Sequence, residues 1–327
     1  MNETAQLAKF TAEMEFDKLP PQAVLMAKQC LLDWLGVALR GAHEEPARIL
    51  RETALKMCGT GESTVFDGGS RRVDPVSAAL VNGAASHTLD FDDLHNPSII
   101  HLATVVIPAA VAVAEACHKS GKALLTAICA GYEAGARAGE AIIPESYFYW
   151  HTTGTAGIFG SAAASASLLG LDAQQTNMCL GSAGTQAAGL WEFLKEGAMS
   201  KALHAGRAAS AGVDEFNTQA RGSTVMQKIM DKISVVKDEK QELLNRENPA
   251  KLASEIIIKM KNGAKYQMQV DYPKGDPDNP MTWEESNAKF IALAEPVCGD
   301  RKAEKLSAYI KNIDEISDIT AEFKKIF

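Results

Sequence analysis

The chain has 327 residues, is 46% hydrophobic and 23% charged, and carries a net charge of -8 at pH 7. That is enough chain for one large or two ordinary domains with a substantial core. The acidic balance, with a pI near 5.5, argues against the basic face of a nucleic-acid binder, and no apolar run is long and uncharged enough to span a membrane.

The predicted elements are mostly helices. Asn2 to Phe16 has Leu7, Phe10 and Met14 at helical spacing, and its polar, acidic character is unlike a secretory leader. Leu19-Pro20-Pro21 breaks this helix and starts the next, Gln22 to Leu39, which Gly41 ends. Glu45 to Cys58 is a third helix. Ser63 to Phe66 reads as a short extended piece before a Gly68-Gly69 turn. Asp74-Pro75 opens a helix through Ala85, with the aspartate as N-cap.

Thr104 to His118 is an alanine-valine helix placed at the centre of the body. Lys122 to Ile143 follows a Ser120-Gly121 turn, and an irregular aromatic stretch runs from Pro144 to Thr153. Gly154 to Leu169, Asp172 to Gly184 and Trp191 to Gly212 are further helices, rich in residues small enough for close helix packing.

Composition changes near Val213, where alanine gives way to polar residues. Met226 to Ile233 reads as helix and Ser234 to Lys237 as strand. Ser254 to Met260 and Lys265 to Val270 flank Asn262-Gly263, a strong hairpin signal. Thr282 and Glu285 form a capping box ahead of a helix to Ala294. Amphipathic helices over Arg301–Tyr309 and Ile316–Ile326 close the chain. The expectation is a mainly α protein: a large helical domain formed by 1–222 and 281–327, with a small α/β unit over 223–280.

The six cysteines are scattered and contain no CxxC, so they are expected to be reduced thiols of a cytosolic protein rather than a disulfide framework or zinc site. The chemistry concentrates in Ala84–Pro108, where His87, His95, His101, Asp90, Asp92 and Asp93 lie between apolar helices. Ionisable groups resist burial unless they are paired, ligated or functional. His87 and Asp90, three apart, share a helix face. Two readings are open: the aspartates cap loop and helix-start amides, or His–Asp pairs form an acid/base centre near neutral pH. A metal held by His87, Asp90 and His95 or His101, serving a hydrolase, is a weaker third reading, because no HExxH-type signature accompanies it.

Later in the chain, His151 stands beside Thr152 and Thr153, while Lys201 and His204 share a helix face in SKALHAG. These last two are either part of a solvated basic helix or a buried cationic set for an anion. No GK[ST] follows the glycine pairs, so they are not phosphate loops. A set of His, Asp and Lys without a nucleophile motif points to proton abstraction beside a carboxylate, with cations holding the substrate.

The chain resembles the MmgE/PrpD family. The resemblance rests on LLDWLGVALRG (31–41), VNGAASHTLDFDD (81–93), His101, SGKALLTAICAGYEAGAR (120–137), His151 and GIFGSAAASASLLGLD (157–172). It continues through WEFLKEGAMSKALHAGRAASAG (191–212) and DYPKGDPDNPMTWEESNAKF (271–290). It implies a cofactor-free, metal-free homodimeric enzyme that acts on a small di- or tricarboxylate, with an all-helical domain and a smaller α/β lid. A 2-methylcitrate dehydratase-like hydro-lyase is the activity expected, with a related decarboxylase or epimerase as neighbours. The implied active-site residues are Asp90, His101, His151 and Lys201, with His204 and Gly206 in the substrate-binding helix. Leu94 stands where the family's decarboxylase carries threonine. Family members are also longer: this chain passes directly from GRAASAGV to DEFNTQARGSTVMQ, without the first half of the lid. An inactive, dimerising scaffold is therefore the alternative to an enzyme.

Overall fold

The computed structural model describes residues 3–58, 60–193, 197–214, 254–259, 265–270 and 274–327. The elements in order are α1 (Glu3–Ala12), α2 (Pro21–Gly41), α3 (Glu45–Met57), β1 (Ser63–Thr64), β2 (Arg72–Val73) and α4 (Pro75–His87). Then come α5 (Leu102–Ala116), α6 (Gly121–Ile142), the single turn α7 (Thr152–Thr155), α8 (Gly157–Leu169), α9 (Ala173–Thr185) and α10 (Ser200–Asp214). The strands β3 (Ser254–Lys259) and β4 (Lys265–Val270) precede α11 (Trp283–Cys298), α12 (Asp300–Lys311) and α13 (Ile319–Ile326). The fold is mainly α, as the periodicities indicate.

Most helix starts follow from local chemistry. Asp74 caps α4 by accepting from the Ser77 amide at 2.9 Å, and Ser120 does the same for α6 through Ala123. Asp172 with Gln175, and Thr282 with Glu285, form complete capping boxes. Two boundaries differ from expectation. The helix expected from Gly154 breaks at Ala156 into α7 and α8. In the stretch from Trp191, Glu192 and Phe193 are helical and α10 then runs from Ser200. The first break lies beside the aromatic loop that carries His151.

The central helix is α5: every residue from Leu102 to Glu115 is buried. It packs against α4, α6, α8 and α10, and side chains this small let neighbours come close. A Cβ added at Gly131 on α6 would lie 2.8 Å from the Gly160 carbonyl oxygen on α8. One added at Gly206 on α10 would lie 2.4 Å from the Leu80 carbonyl oxygen on α4. No ordinary side chain fits either crossing, so glycine there sets the distance between helices. The chain's end is tied to its start by edge-on aromatic contacts. Trp34 and Phe66 have ring centroids 5.4 Å apart, and Phe66 and Phe323 5.5 Å.

β1 and β2 pair antiparallel, as do β3 and β4, the latter in register from Ser254 opposite Val270 to Lys259 opposite Lys265. The hairpin read from the Asn-Gly signal is therefore present. The helix expected over 226–233 and the strand over 234–237 lie outside the described residues. All six cysteines are free thiols. Cys117 is exposed, which separates it from the core thiols expected. Among the described residues no helix is long and apolar enough to cross a membrane.

One buried charge secures the β1–β2 unit to α5. The Glu115 carboxylate, fully buried, accepts from the Thr64 amide (2.8 Å), the Thr64 hydroxyl (2.6 Å) and Arg72 (3.1 Å). Burial raises its pKa, while those donors oppose the rise. Removing the carboxylate strands Arg72 and the Thr64 amide. Glu115→Ala is expected to lower unfolding stability by about 3 kcal/mol, read as a reduced urea midpoint; an unchanged midpoint would show that the cluster contributes nothing.

Candidate active site

The site forms where α4 ends, α5 begins and α10 crosses α4. Gly83 and Gly206 face each other there: a Cβ on Gly83 would sit 3.0 Å from the Gly206 Cα. That approach brings the first turn of α10, with Lys201 and His204, alongside the segment that follows α4. Gly206, implied as a substrate-binding position, is thus a packing residue whose contribution is to place that turn.

After α4, Asp90 adopts a left-handed backbone conformation with φ 52°, which aspartate tolerates at a cost of about 1 kcal/mol. Its carboxylate accepts a hydrogen bond from Lys201 Nζ at 2.6 Å and stands 3.9 Å from His101 Nε2. Two residues on, the Asp92 side chain is completely buried and its Oδ2 meets two imidazoles. His87 Nδ1 donates to it at 2.9 Å, and His101 Nδ1 lies 3.2 Å away at ion-pair distance, though without hydrogen-bond alignment. Asp93 turns the other way. It accepts from the Ala103 amide at 2.8 Å, capping α5, and from the Tyr132 hydroxyl at 2.7 Å. The aspartates thus divide: Asp93 caps α5, as the capping reading expects, while Asp90 pairs with Lys201 and Asp92 faces His87 and His101.

His151 arrives from the aromatic loop. Its amide bonds to the Gly189 carbonyl at 2.7 Å. The next two residues clasp the start of α5: Thr152 donates to the Ile99 carbonyl, and Thr153 accepts from the His101 amide at 3.2 Å. The ring of His151 stacks on His87 at 5.5 Å. It also contacts Trp191, Phe193 and His204 at 5.2, 5.6 and 5.6 Å. Four of the expected residues (Asp90, His101, His151, Lys201) and His204 thus converge. His95 does not join them: it bonds Ser98 at 2.8 Å and faces Glu140.

The electrostatics separate two histidines that share the same enclosure. Burial lowers the pKa of His151 to about 2, reinforced by His87, His204, Lys201 and His101. Burial pushes His101 down as well, but the Asp92, Asp93 and Asp90 carboxylates outweigh it and raise its pKa. Asp92 shows the reverse balance: burial opposes ionisation, yet His87 and His101 hold its carboxyl well below the ordinary range. Burial raises Asp93 to about 6 against its two donors. His204 is lowered by burial and by His87. The site therefore sets a neutral imidazole at His151 beside His101, whose proton affinity is raised, and the basic side chain of Lys201. The buried nitrogens His87 Nε2, His151 Nδ1 and His204 Nδ1 have no hydrogen-bond partner in the chain, a pattern that a polar substrate would complete.

His87, Asp90, Asp92 and His101 each offer one ligand atom within 4.8 Å of the others, the group among the described residues that could hold a metal ion. The Lys201 ammonium on Asp90 and the use of both His Nδ1 atoms on Asp92 compete with that role.

Residues 5–234 match the family model of the MmgE/PrpD N-terminal domain, and 200–315 that of the C-terminal domain. The chain belongs to the MmgE/PrpD family. Curated relatives include a cis-aconitate decarboxylase-like protein of Aspergillus oryzae, 33% identical over 217 residues, covering 62% of this chain and 44% of that protein. The cis-aconitate decarboxylase of Aspergillus terreus is 30% identical over 64% of this chain and 44% of its own length. The human cis-aconitate decarboxylase is 32% identical over 60% and 41%. The aligned stretch thus spans less than half of each relative.

What sequence reasoning underrated was Asp92, read as a capping or supporting residue. Its signal was present: it lies between two histidines in sequence, in a segment that leaves one helix and enters another. Trp191 and Phe193, which wall His151, carried no signal beyond their aromaticity.

His101, with its folded pKa raised, stabilises the fold below the unfolded value of about 6.5. That contribution is lost as pH rises through the folded pKa. His151, lowered, contributes above about 6.5 and loses its contribution as pH falls toward its folded value of about 2. Imidazole nitrogen NMR is expected to show His101 titrating above the ordinary imidazole value and His151 neutral from pH 8 to about 5. Asp92→Asn should move the His101 midpoint downward; an unmoved midpoint would remove Asp92 as the cause.

Proposed function

We propose that this protein is a cofactor-independent lyase of a tricarboxylate, moving a proton on a carbon beside a carboxylate. The observation that carries the reading is the convergence of His151, whose proton affinity is held down, with the basic side chains of His101 and Lys201 around Asp90 and Asp92. Such a site binds carboxylates through its cations and keeps an unprotonated base at neutral pH. His101, raised by its carboxylates, is suited to donate a proton, and Asp90 orients Lys201. Gathering negative charge onto a substrate carboxylate as the carbon acid ionises is the step that Lys201 and His101 would favour.

The finer choice is a hydro-lyase of the 2-methylcitrate dehydratase kind. His151 takes the proton from carbon, the carbon–oxygen bond breaks, and the leaving hydroxide takes the proton of His101 to depart as water. Decarboxylation is the competing choice, favoured by the similarity to cis-aconitate decarboxylases. There, carbon–carbon cleavage releases carbon dioxide and the carbanion left behind takes a proton from a site acid. Leu94, half-exposed beside Asp93, replaces the hydroxyl-bearing residue expected of that activity. Such an enzyme would act as a homodimer in the cytoplasm, and neither a nucleic acid nor a membrane is part of the proposal.

Incubating the protein with 2-methylcitrate, cis-aconitate and iminodisuccinate, followed by proton NMR, is expected to show turnover of one of them. Lys201→Ala and His151→Ala should each reduce kcat/KM by about 100-fold or more. Absence of both turnover and binding across the panel would overturn the reading and favour the inactive scaffold.

A further inference from the structure

Lys289 on α11 is remote in sequence from the candidate site and belongs to none of the acid/base roles. Its ammonium nevertheless makes two contacts with the residue between Asp90 and Asp92 and a third with α2. It donates to the Phe91 carbonyl oxygen at 2.7 Å. It lies 4.1 Å above the centroid of the Phe91 ring. It also forms a 2.7 Å ion pair with Asp33 of α2. The Lys289 and Asp33 side chains are 21% and 16% exposed, so this pair is poorly screened. Phe91, by contrast, is more than half exposed.

We propose that Lys289 is a positioning residue, gripping Phe91 by its carbonyl and ring face and anchoring it to Asp33, so that the flanking Asp90 and Asp92 hold their geometry. The need for such a grip follows from the local backbone. Asp90 sits in a left-handed conformation, and the two residues that flank Phe91 point in opposite directions. Asp90 reaches out to Lys201, and Asp92 turns inward between His87 and His101. Two residues that face opposite ways, one of them strained, stay in place only when the surroundings over-determine them. A carbonyl hydrogen bond fixes the peptide plane between Phe91 and Asp92. The cation over the ring fixes the side chain, and the Asp33 ion pair fixes the cation. Both anchoring helices are rigid neighbours, since α2 and α11 pack along each other and share the Gln29–Ser286 hydrogen bond at 3.2 Å. Misplacement of a catalytic group by a fraction of its bond length lowers turnover more than binding.

The inference rests on the lyase reading for its kinetic readout alone; hydrogen exchange tests it independently. In Lys289→Met, amides of 88–95 are expected to exchange about 10-fold faster, while those of α5 keep the parent's protection. On whichever tricarboxylate the parent turns over, kcat should fall about 10-fold with KM within about threefold. Lys289→Arg, which keeps the cation and its donors, should restore most of both. Should Lys289→Met fail to fold, Phe91→Leu removes only the exposed ring, and its 88–95 amides are expected to exchange faster than the parent's. Unchanged exchange over 88–95 in the variant that folds, or acceleration spread equally over all helices, would overturn the proposal. If the parent turns over nothing, the lyase reading fails while the exchange result still decides the role of Lys289.

Discussion

A single carboxylate oxygen, Asp92 Oδ2, faces His87 at 2.9 Å and His101 at 3.2 Å with no exposed side-chain surface. A carboxylate so placed stays ionised only if it is compensated, and two imidazoles supply that compensation. Much of the site depends on this arrangement. The ring of His87, held by Asp92, is the surface on which His151 stacks. The ring of His101, 4.7 Å from that of His87, starts α5. Were Asp92 neutral, His101 would lose the partner that offsets its desolvation, and the distinction between the two histidines would shrink.

Helix packing brings the second half of the site to this carboxylate. Lys201 is 111 residues from Asp90 in sequence yet 2.6 Å away in space. The glycines at the α4–α10 crossing make that possible, because a Cβ on either would push the helices apart. The alanine- and glycine-rich stretches are therefore part of the chemistry as well as of the core. They allow backbones to approach until short reaches from Asp90 and Lys201 close the gap. Asp93, facing away, secures the same segment through the Ala103 amide and Tyr132.

Much of this was legible in the sequence. Helix caps such as Asp74 and Thr282, and the Asn-Gly hairpin, are written in local chemistry that acts over three or four residues. The convergence of Asp90, His101, His151 and Lys201 was legible through motifs rather than periodicity. What local rules missed has a common physical origin. The break at Ala156 follows the segment in which His151 packs on Trp191 and Phe193, a tertiary contact that overrides helix propensity. The division of labour among three aspartates is likewise decided by a positive φ at Asp90 and by which way each neighbour then turns. Gly206 shows the converse: a residue in a functional motif whose own role is steric.

His101 and His151 are both buried and lie against the same ring, yet their proton affinities are driven apart. Desolvation acts on both in the same direction, so it cannot distinguish them. The difference comes from what each ring faces: His101 has carboxylates of Asp92, Asp93 and Asp90 around it, while the charged neighbours of His151 are His87, His204, Lys201 and His101. An acid and a base held at neutral pH in one enclosure require that asymmetry, and the chain produces it by placing all its local anions on the α4–α5 segment and its later cation on α10. Positive charge on His101 disfavours protonation of His151, so the raised affinity of one ring lowers that of the other. On the proposed lyase reading, a tricarboxylate entering this enclosure would bring anions toward His151 and raise its proton affinity, moving it toward the range where it can accept a proton from carbon.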